Sequence, residues 1–359
     1  MKHAVMTIVA MAPLVACAGT APRPPATASA PAPADASRPT QAPPGPAPAA
    51  SVAASPGPPT QAPARQRELV IGDHRLPGIL TLPRAEGPFA AVVLVHGSGP
   101  SDRDETIGPN KPFQDLAAGL ASHGIATLRY DKRTLKFASE FAPPATYTLE
   151  QEVLADARAA VAVLAATPEI DRRRIFVLGH SLGGTLAPRI AAHESRVAGL
   201  IILAGATRPF DELVVEQIKT AAPGNAALAA QAARFAAAFR DPALAPGDTI
   251  EFLGAKMSGS YCIDLRSSDP AATAATLRLP MLILQGERDY QVTMADLDGW
   301  KRALAGRSDV MFRTYASLNH LFMAGTGPAS PADYQVAGHV AAAVIDDIAG
   351  WLAVRTEAR

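Results

Sequence analysis

Cysteine is nearly absent from this chain: there are two in 359 residues, Cys17 and Cys262. If the first is spent on an anchor, as argued below, the second has no intramolecular partner and the fold needs no disulfide. Net charge is absent as well. The 33 Lys and Arg balance 33 Asp and Glu, which excludes binding driven by a strongly basic nucleic-acid surface and excludes an acidic solvating chain. No H-x-x-E-H or H-E-x-x-H metal signature occurs, nor a glycine-rich phosphate loop, nor an internal repeat, so neither a metal nor a cofactor is expected. What the chain does have is 48% hydrophobic residues, ample for a packed core, and 33 prolines distributed very unevenly.

The prolines mark the organisation. Residues 20–66 contain 14 of them in 47 positions, among Ala, Ser, Thr, Gly and Gln. Such a segment cannot bury enough apolar surface to offset chain entropy and is expected to be a disordered, extended tether. At about 3.1 Å per residue it would reach roughly 145 Å. Before it, Lys2 and the apolar run Ala4–Val15 read as an export signal, too short for a membrane-spanning helix. The run ends Leu14-Val15-Ala16-Cys17, which resembles the lipobox of bacterial lipoproteins. That resemblance implies cleavage after Ala16 and acylation of Cys17, with the protein lipid-anchored in the cell envelope. An ordinary signal cut at Ala16-Cys17-Ala18 is the alternative. The expected organisation is therefore signal 1–16, tether 17–66 and a globular domain 67–359.

Within 67–359 strand and helix signals alternate. Glu68–Ile71 and Gly78–Leu82 suggest an opening antiparallel pair. Ala90–Val95, Arg174–Leu178, Val197–Leu203 and Met281–Leu284 are apolar runs of the kind buried on both faces of a parallel sheet. Ile125–Leu128 and Val310–Tyr315 add two more strands. Helices are expected over Phe113–Ser122, Leu149–Ala166, Ser181–His193, Met294–Ala303 and Ala332–Val354. The rhythm breaks over 206–277, which is Ala-rich and without a clear buried strand, and is expected to be a helical cap inserted after one sheet strand.

The strongest chemical signal is Gly179-His180-Ser181-Leu182-Gly183-Gly184, a G-x-S-x-G motif between a buried strand and a helix. There the serine occupies a tight, strained turn, and the helix N-terminus offers backbone N–H groups to a developing oxyanion. Serine is a weak nucleophile and needs a base; α/β-hydrolases supply it in the order Ser, acid, His. His320, in the loop after the last expected strand, suits the base, whereas His193 follows Ser181 too closely and His339 falls in the expected final helix. The acid belongs after Met281–Leu284, where Asp289 is the candidate and Glu287 the fallback. Leu182 N–H and an amide of His96-Gly97-Ser98-Gly99-Pro100 would form the oxyanion hole, with Ser98 preferred and Gly97 its neighbour. His96 and His180 are expected to orient through hydrogen bonds. Asp102, Arg103, Asp104 and Arg129–Arg133 suggest a salt-bridge network ordering the loops, or contacts to a polar substrate group. Tyr261 and Asp264 would pack or face the pocket.

The run His96–Arg133, the GHSLGG sequence and YCIDL with PMLILQGERDYQV, Tyr261 through Val292, resemble bacterial EstD-like carboxylesterases, relatives of the dienelactone hydrolases, in which a cysteine replaces the nucleophilic serine. The resemblance covers most of Arg67–Val354. It implies an α/β-hydrolase fold, a triad of Ser181, Asp289 and His320, and hydrolysis of small carboxylic esters. A serine peptidase or acyltransferase could use the same triad, and a non-catalytic envelope lipoprotein is the rival from another class.

Overall fold

Alternation along one strand explains the centre of the molecule. In Phe89–Val95 the side chains of Ala91, Val93 and Val95 enter one apolar core, while Ala90, Val92 and Leu94 enter a second on the opposite face. A run apolar at every position is what a strand covered on both sides requires. The computed structural model describes residues 64–142 and 145–357. The expected signal, Cys17 and nearly all of the expected tether lie outside the described residues.

The strands in chain order are β1 (Arg65–Ile71), β2 (Leu76–Leu82), β3 (Phe89–Val95), β4 (Ala126–Tyr130), β5 (Ile170–His180), β6 (Val197–Leu203), β7 (Thr249–Phe252), β8 (Ala255–Ser258), β9 (Met281–Gly286) and β10 (Val310–Tyr315). The helices are α1 (Pro112–Ser122), α2 (Arg133–Lys136), α3 (Ala155–Ala165), α4 (Leu182–Ala192), α5 (Phe210–Ala221), α6 (Ala226–Arg240), α7 (Gly259–Ser267), α8 (Pro270–Thr276), α9 (Met294–Ala303) and α10 (Ala342–Glu357). Eight strands form one sheet in the order β1-β2-β4-β3-β5-β6-β9-β10. β1, β2 and β4 pair antiparallel, and every later pairing is parallel. Buried residues of α3 and α4 belong to one core, and those of α1 and α10 to the other. The carboxyl ends of β3, β5 and β9 therefore point to one edge of the sheet, where ligand sites of open α/β sheets form.

Four expectations need correction. β1 begins at Arg65, two residues inside the expected tether; it is an exposed edge strand with no apolar signature in Arg65–Glu68. The expected helix from Leu149 opens as a π-helical turn, Glu150–Leu154, before α3. The inserted segment is not purely helical. Between α6 and α7 lies the antiparallel hairpin β7–β8, whose Ile250, Phe252 and Met257 are buried while Glu251 and Lys256 are exposed. Strands of four residues are too short to leave a periodic signal. The final helix starts at Ala342, not Ala332. Pro331–Gln335 is a 3-10 turn, and the stretch after it gives its backbone to tertiary partners: Gly338 N–H donates to Asn110 Oδ1 at 2.8 Å and Val340 N–H to Asp115 Oδ2 at 3.0 Å. His339 thus lies outside the helix, exposed, beside Asp115 at 3.0 Å.

Candidate active site

Ser181 sits between β5 and α4 with φ 53° and ψ −119°, a left-handed conformation that a non-glycine residue adopts only under constraint. The constraint is visible. Ser181 N–H donates to Leu203 O of β6 at 2.9 Å, and Thr185 N–H returns to Ser181 O at 2.9 Å. Crowding explains the glycines: a Cβ on Gly179 would strike the Gly183 carbonyl, and one on Gly183 would strike Val95 O. The turn can be this sharp only where both lack side chains.

Asp289 lies in the turn after β9. Its Oδ1 accepts Gln291 N–H at 2.8 Å and Val292 N–H at 3.0 Å. Its Oδ2 accepts Gln285 Nε2–H at 3.3 Å and meets His320 Nδ1 at 2.6 Å. Both Asp289 and His320 are buried, so this contact forms out of water, where it fixes the imidazole tautomer. Glu287 is exposed and makes no such contact. The His320 loop is shaped by Asn319, whose Oδ1 accepts Leu321 N–H at 3.0 Å and Met323 N–H at 3.1 Å. Gly286 is required because a Cβ there would strike Leu318 O. His320 Nε2 is buried and has no hydrogen-bond partner among the described residues. It lines, with Ser181, Gly97 and Ser98, a small cavity of about 70 Å³.

The structure thus gathers Ser181, Asp289 and His320 at one place. It leaves His193 exposed at the end of α4, with Nδ1 on Arg189 O at 3.0 Å. Leu182 is the first residue of α4, whose opening N–H groups have no partner within the helix. In the loop after β3 the two candidate amides differ. Gly97 N–H is taken by Glu105 Oε1 at 2.6 Å, whereas Ser98 lines both the small cavity and a cavity of about 500 Å³ that it shares with Ser181 and Leu182. That larger cavity is lined from the insertion by Phe210, Leu213, Val214 and Phe239. A wider hollow of about 830 Å³ along the β7–β8 hairpin contains none of these site residues.

Around this core stands a layer of buried charge. His180 Nδ1 faces Glu105 Oε2 at 2.9 Å, and its Nε2 faces His320 O at 2.9 Å. A carbonyl only accepts, so Nε2 carries a proton. Burial opposes charging His180, but the Glu105 carboxylate, its hydrogen bond and the His320 carbonyl outweigh burial and raise the pKa. Burial likewise works against ionised Glu105, yet His180, His96 and Gly97 N–H hold its pKa below the ordinary value. His180 and Glu105 therefore each favour the ionised form of the other. His96 behaves oppositely: burial pushes its pKa down to about 4, and the neutral ring sits against Phe113 and Tyr130 with Nε2 on Asp102 O at 2.9 Å.

The flanking charges hold one another. Arg103 binds Asp131 at 2.9 Å, Arg129 binds Asp104 at 3.0 Å and Arg133 binds Asp156. Asp264 accepts Leu149 N–H at 2.9 Å and pairs with Arg189 at 2.7 Å, and Tyr261 is buried beside Tyr147. Glu105 and Glu152 were not singled out by sequence reasoning; Lys132 was expected within a salt-bridge network of the loops, and it pairs with Glu152 at 2.6 Å. Glu105 stands in a charge-rich stretch that looks solvated, and Glu152 on a helix face carries no motif. Cys262 is buried, and burial pushes its thiol up to about 12, so it is unreactive near neutrality. Among the described residues no group of three or more His, Cys, Asp or Glu side chains could hold a metal ion.

Fold and site define a class, and the comparisons agree with it. Residues 92–347 match the alpha/beta hydrolase family, and the chain belongs to that family. It is 44% identical over 278 residues to Esterase EstD of Thermotoga maritima, covering 77% of this chain and 65% of that protein; the chain thus spans less than two thirds of that relative's length. Among solved structures, the Pyrobaculum calidifontis esterase matches with a TM-score of 0.52 at 18% identity, over 81% of this chain and 86% of its own. At that identity the likeness concerns the fold alone.

Proposed function

We propose that this chain is a serine carboxylesterase acting on small carboxylic esters. Ser181 Oγ attacks the ester carbonyl carbon as His320 Nε2 takes the hydroxyl proton. The oxyanion receives the N–H groups of Ser98 and Leu182. As the tetrahedral adduct collapses, His320 returns the proton to the departing alkoxide, leaving an ester on Ser181. Water, deprotonated by His320, then releases the acid. The observation that carries this reading is the buried Nε2 of His320, unpartnered beside strained Ser181, with Nδ1 tied to Asp289 at 2.6 Å. The 44% identity to a protein named as an esterase supports the same choice of bond. Fluorophosphonate labelling tests it: the label should map to Ser181, and Ser181→Ala should lose both labelling and turnover of p-nitrophenyl acetate. Unlabelled wild-type protein would overturn the reading. The same proposal takes the protein as exported and anchored through acylated Cys17, with 17–64 as its tether, supported by the Leu14–Cys17 sequence and the proline content.

A further inference from the structure

The loop after β3 is gripped by two opposite buried charges, and both grip the same residue. Lys132, which follows β4 and precedes α2, donates from Nζ to Gly97 O at 2.8 Å. Glu105 accepts Gly97 N–H at 2.6 Å. Each ion has a second partner: Lys132 Nζ reaches Glu152 Oε1 at 2.6 Å, and Glu105 Oε2 faces His180 Nδ1 at 2.9 Å. All four side chains are buried. Taking charges out of water is costly, and a loop that needed only anchoring could be held by neutral donors and acceptors.

We propose that Lys132 and Glu105 are positioning residues of the oxyanion hole, holding the Gly97 backbone so that Ser98 N–H, not Gly97 N–H, meets the developing oxyanion. Peptide geometry supplies the reason. Gly97 C=O and Ser98 N–H belong to one planar trans unit and point in opposite directions. Fixing the carbonyl on Lys132 therefore turns Ser98 N–H the other way, toward the cavities that Ser98 lines with Ser181. The ammonium also draws electron density through the carbonyl, which makes the attached N–H a stronger donor. Glu105 removes the competing Gly97 amide by occupying it. A side chain at Gly97 would crowd this grip, because a Cβ would stand 3.1 Å from Ser181 Cβ and 3.3 Å from Glu105 Oε1. Through His180, whose Nε2–H donates to His320 O at 2.9 Å, the carboxylate also ties this loop to the backbone of the proposed base. The inference rests on the esterase reading insofar as Ser98 must be an oxyanion donor.

The test pairs one variant with one measurement on the unaltered protein. Lys132→Met is made together with Glu152→Gln, so that no lone carboxylate is left buried. On p-nitrophenyl acetate kcat should fall roughly 10- to 100-fold, less than the loss expected for deleting a donor outright, with KM within about threefold. Affinity for a trifluoromethyl ketone, whose hemiketal with Ser181 carries the oxyanion, should fall by the same factor. In wild-type protein, binding that ketone should move the Ser98 amide proton resonance downfield and leave that of Gly97, already bonded to Glu105, in place. A folded variant with unchanged kcat and ketone affinity overturns the proposal, as does a ketone that moves Gly97 and not Ser98. Should the variant not fold, the amide measurement decides alone. Wild-type protein that neither cleaves the ester nor binds the ketone would overturn the esterase reading itself, and this role with it.

Discussion

Ser181 shows how little freedom the proposed nucleophile has. Its φ of 53° is held by hydrogen bonds from both sides, and the glycines at 179 and 183 exist to let the turn close. Asp289 is equally determined, with two backbone amides on one oxygen and His320 on the other. In the proposed esterase, Asp289→Asn should lower kcat by roughly 10⁴-fold while the fold survives, because the amide keeps the shape but favours the wrong imidazole tautomer. Steady-state kinetics and a melting curve together check this. Ser181, Asp289 and His320 were legible in sequence because each stands at the junction of a strand and a turn with glycine or apolar neighbours. Glu105 was not legible, and Lys132 was legible only as a member of a salt-bridge network, without its partners. Their partners lie at Gly97, His180 and Glu152, and no local pattern distinguishes a carboxylate facing a buried imidazole from one facing water.

At the scale of elements, the insertion between β6 and β9 decides the shape of the larger cavity. Its helices are joined by an aromatic cluster: Phe235 lies 4.9 Å from Phe252 of the hairpin, 5.8 Å from Phe239 and 6.2 Å from Phe210, ring centre to ring centre. Phe210 and Phe239 line the cavity and Phe235 does not. Phe235→Ala should remove about 3–5 kcal/mol of packing from the insertion. The expected outcome is a raised KM for longer acyl esters with Ser181 still labelled by a fluorophosphonate; unchanged KM across an acyl-length series would show that the cluster does not shape the pocket. The insertion is also tied to α9. Asp296, fully buried, accepts Thr207 N–H at 3.0 Å and Arg208 N–H at 3.1 Å and binds the Arg208 guanidinium at 2.7 Å. Asp296→Ala would leave the Thr207 and Arg208 amides without their acceptor, while the guanidinium keeps Glu216, and should cost about 1–3 kcal/mol, measured by denaturant unfolding. The hairpin in this segment escaped sequence reading because its four-residue strands gain their stability from α6, against which β7 packs, and not from their own periodicity.

At the scale of the whole molecule, buried histidines set the pH range of the fold. The folded His96 has a pKa of about 4 against the ordinary 6.5, so between those values the unfolded chain binds a proton that the native chain does not. Stability should therefore fall as pH drops from about 6.5 to 4, by about 3 kcal/mol in all, and His96→Gln should flatten that slope. His180 acts in the other direction: its raised pKa contributes stability below the ordinary value and loses it as pH rises through the folded one. Glu105, held low, contributes above the ordinary carboxylate range and is lost only on strong acidification. Unfolding measured across pH for wild type and His96→Gln separates these effects.

The sequence by itself determined the alternation of strand and helix, the place of the turn that carries Ser181, the candidates for acid and base, and the division into a proline-rich stretch and a globular body. These are local properties: a run apolar at every position can only be buried on both faces, and G-x-S-x-G can only be a tight turn where it joins such a strand to a helix. Only the tertiary structure decided which amide of the loop after β3 is taken, that the pKa of His180 is raised and that of His96 lowered, and where the last helix begins. Each of those depends on a partner far along the chain, such as Lys132 for Gly97, Glu105 for His180, or Asn110 and Asp115 for the segment before α10. Electrostatics and hydrogen bonding act across space, and the distance that matters to them is set by the fold, not by the sequence interval.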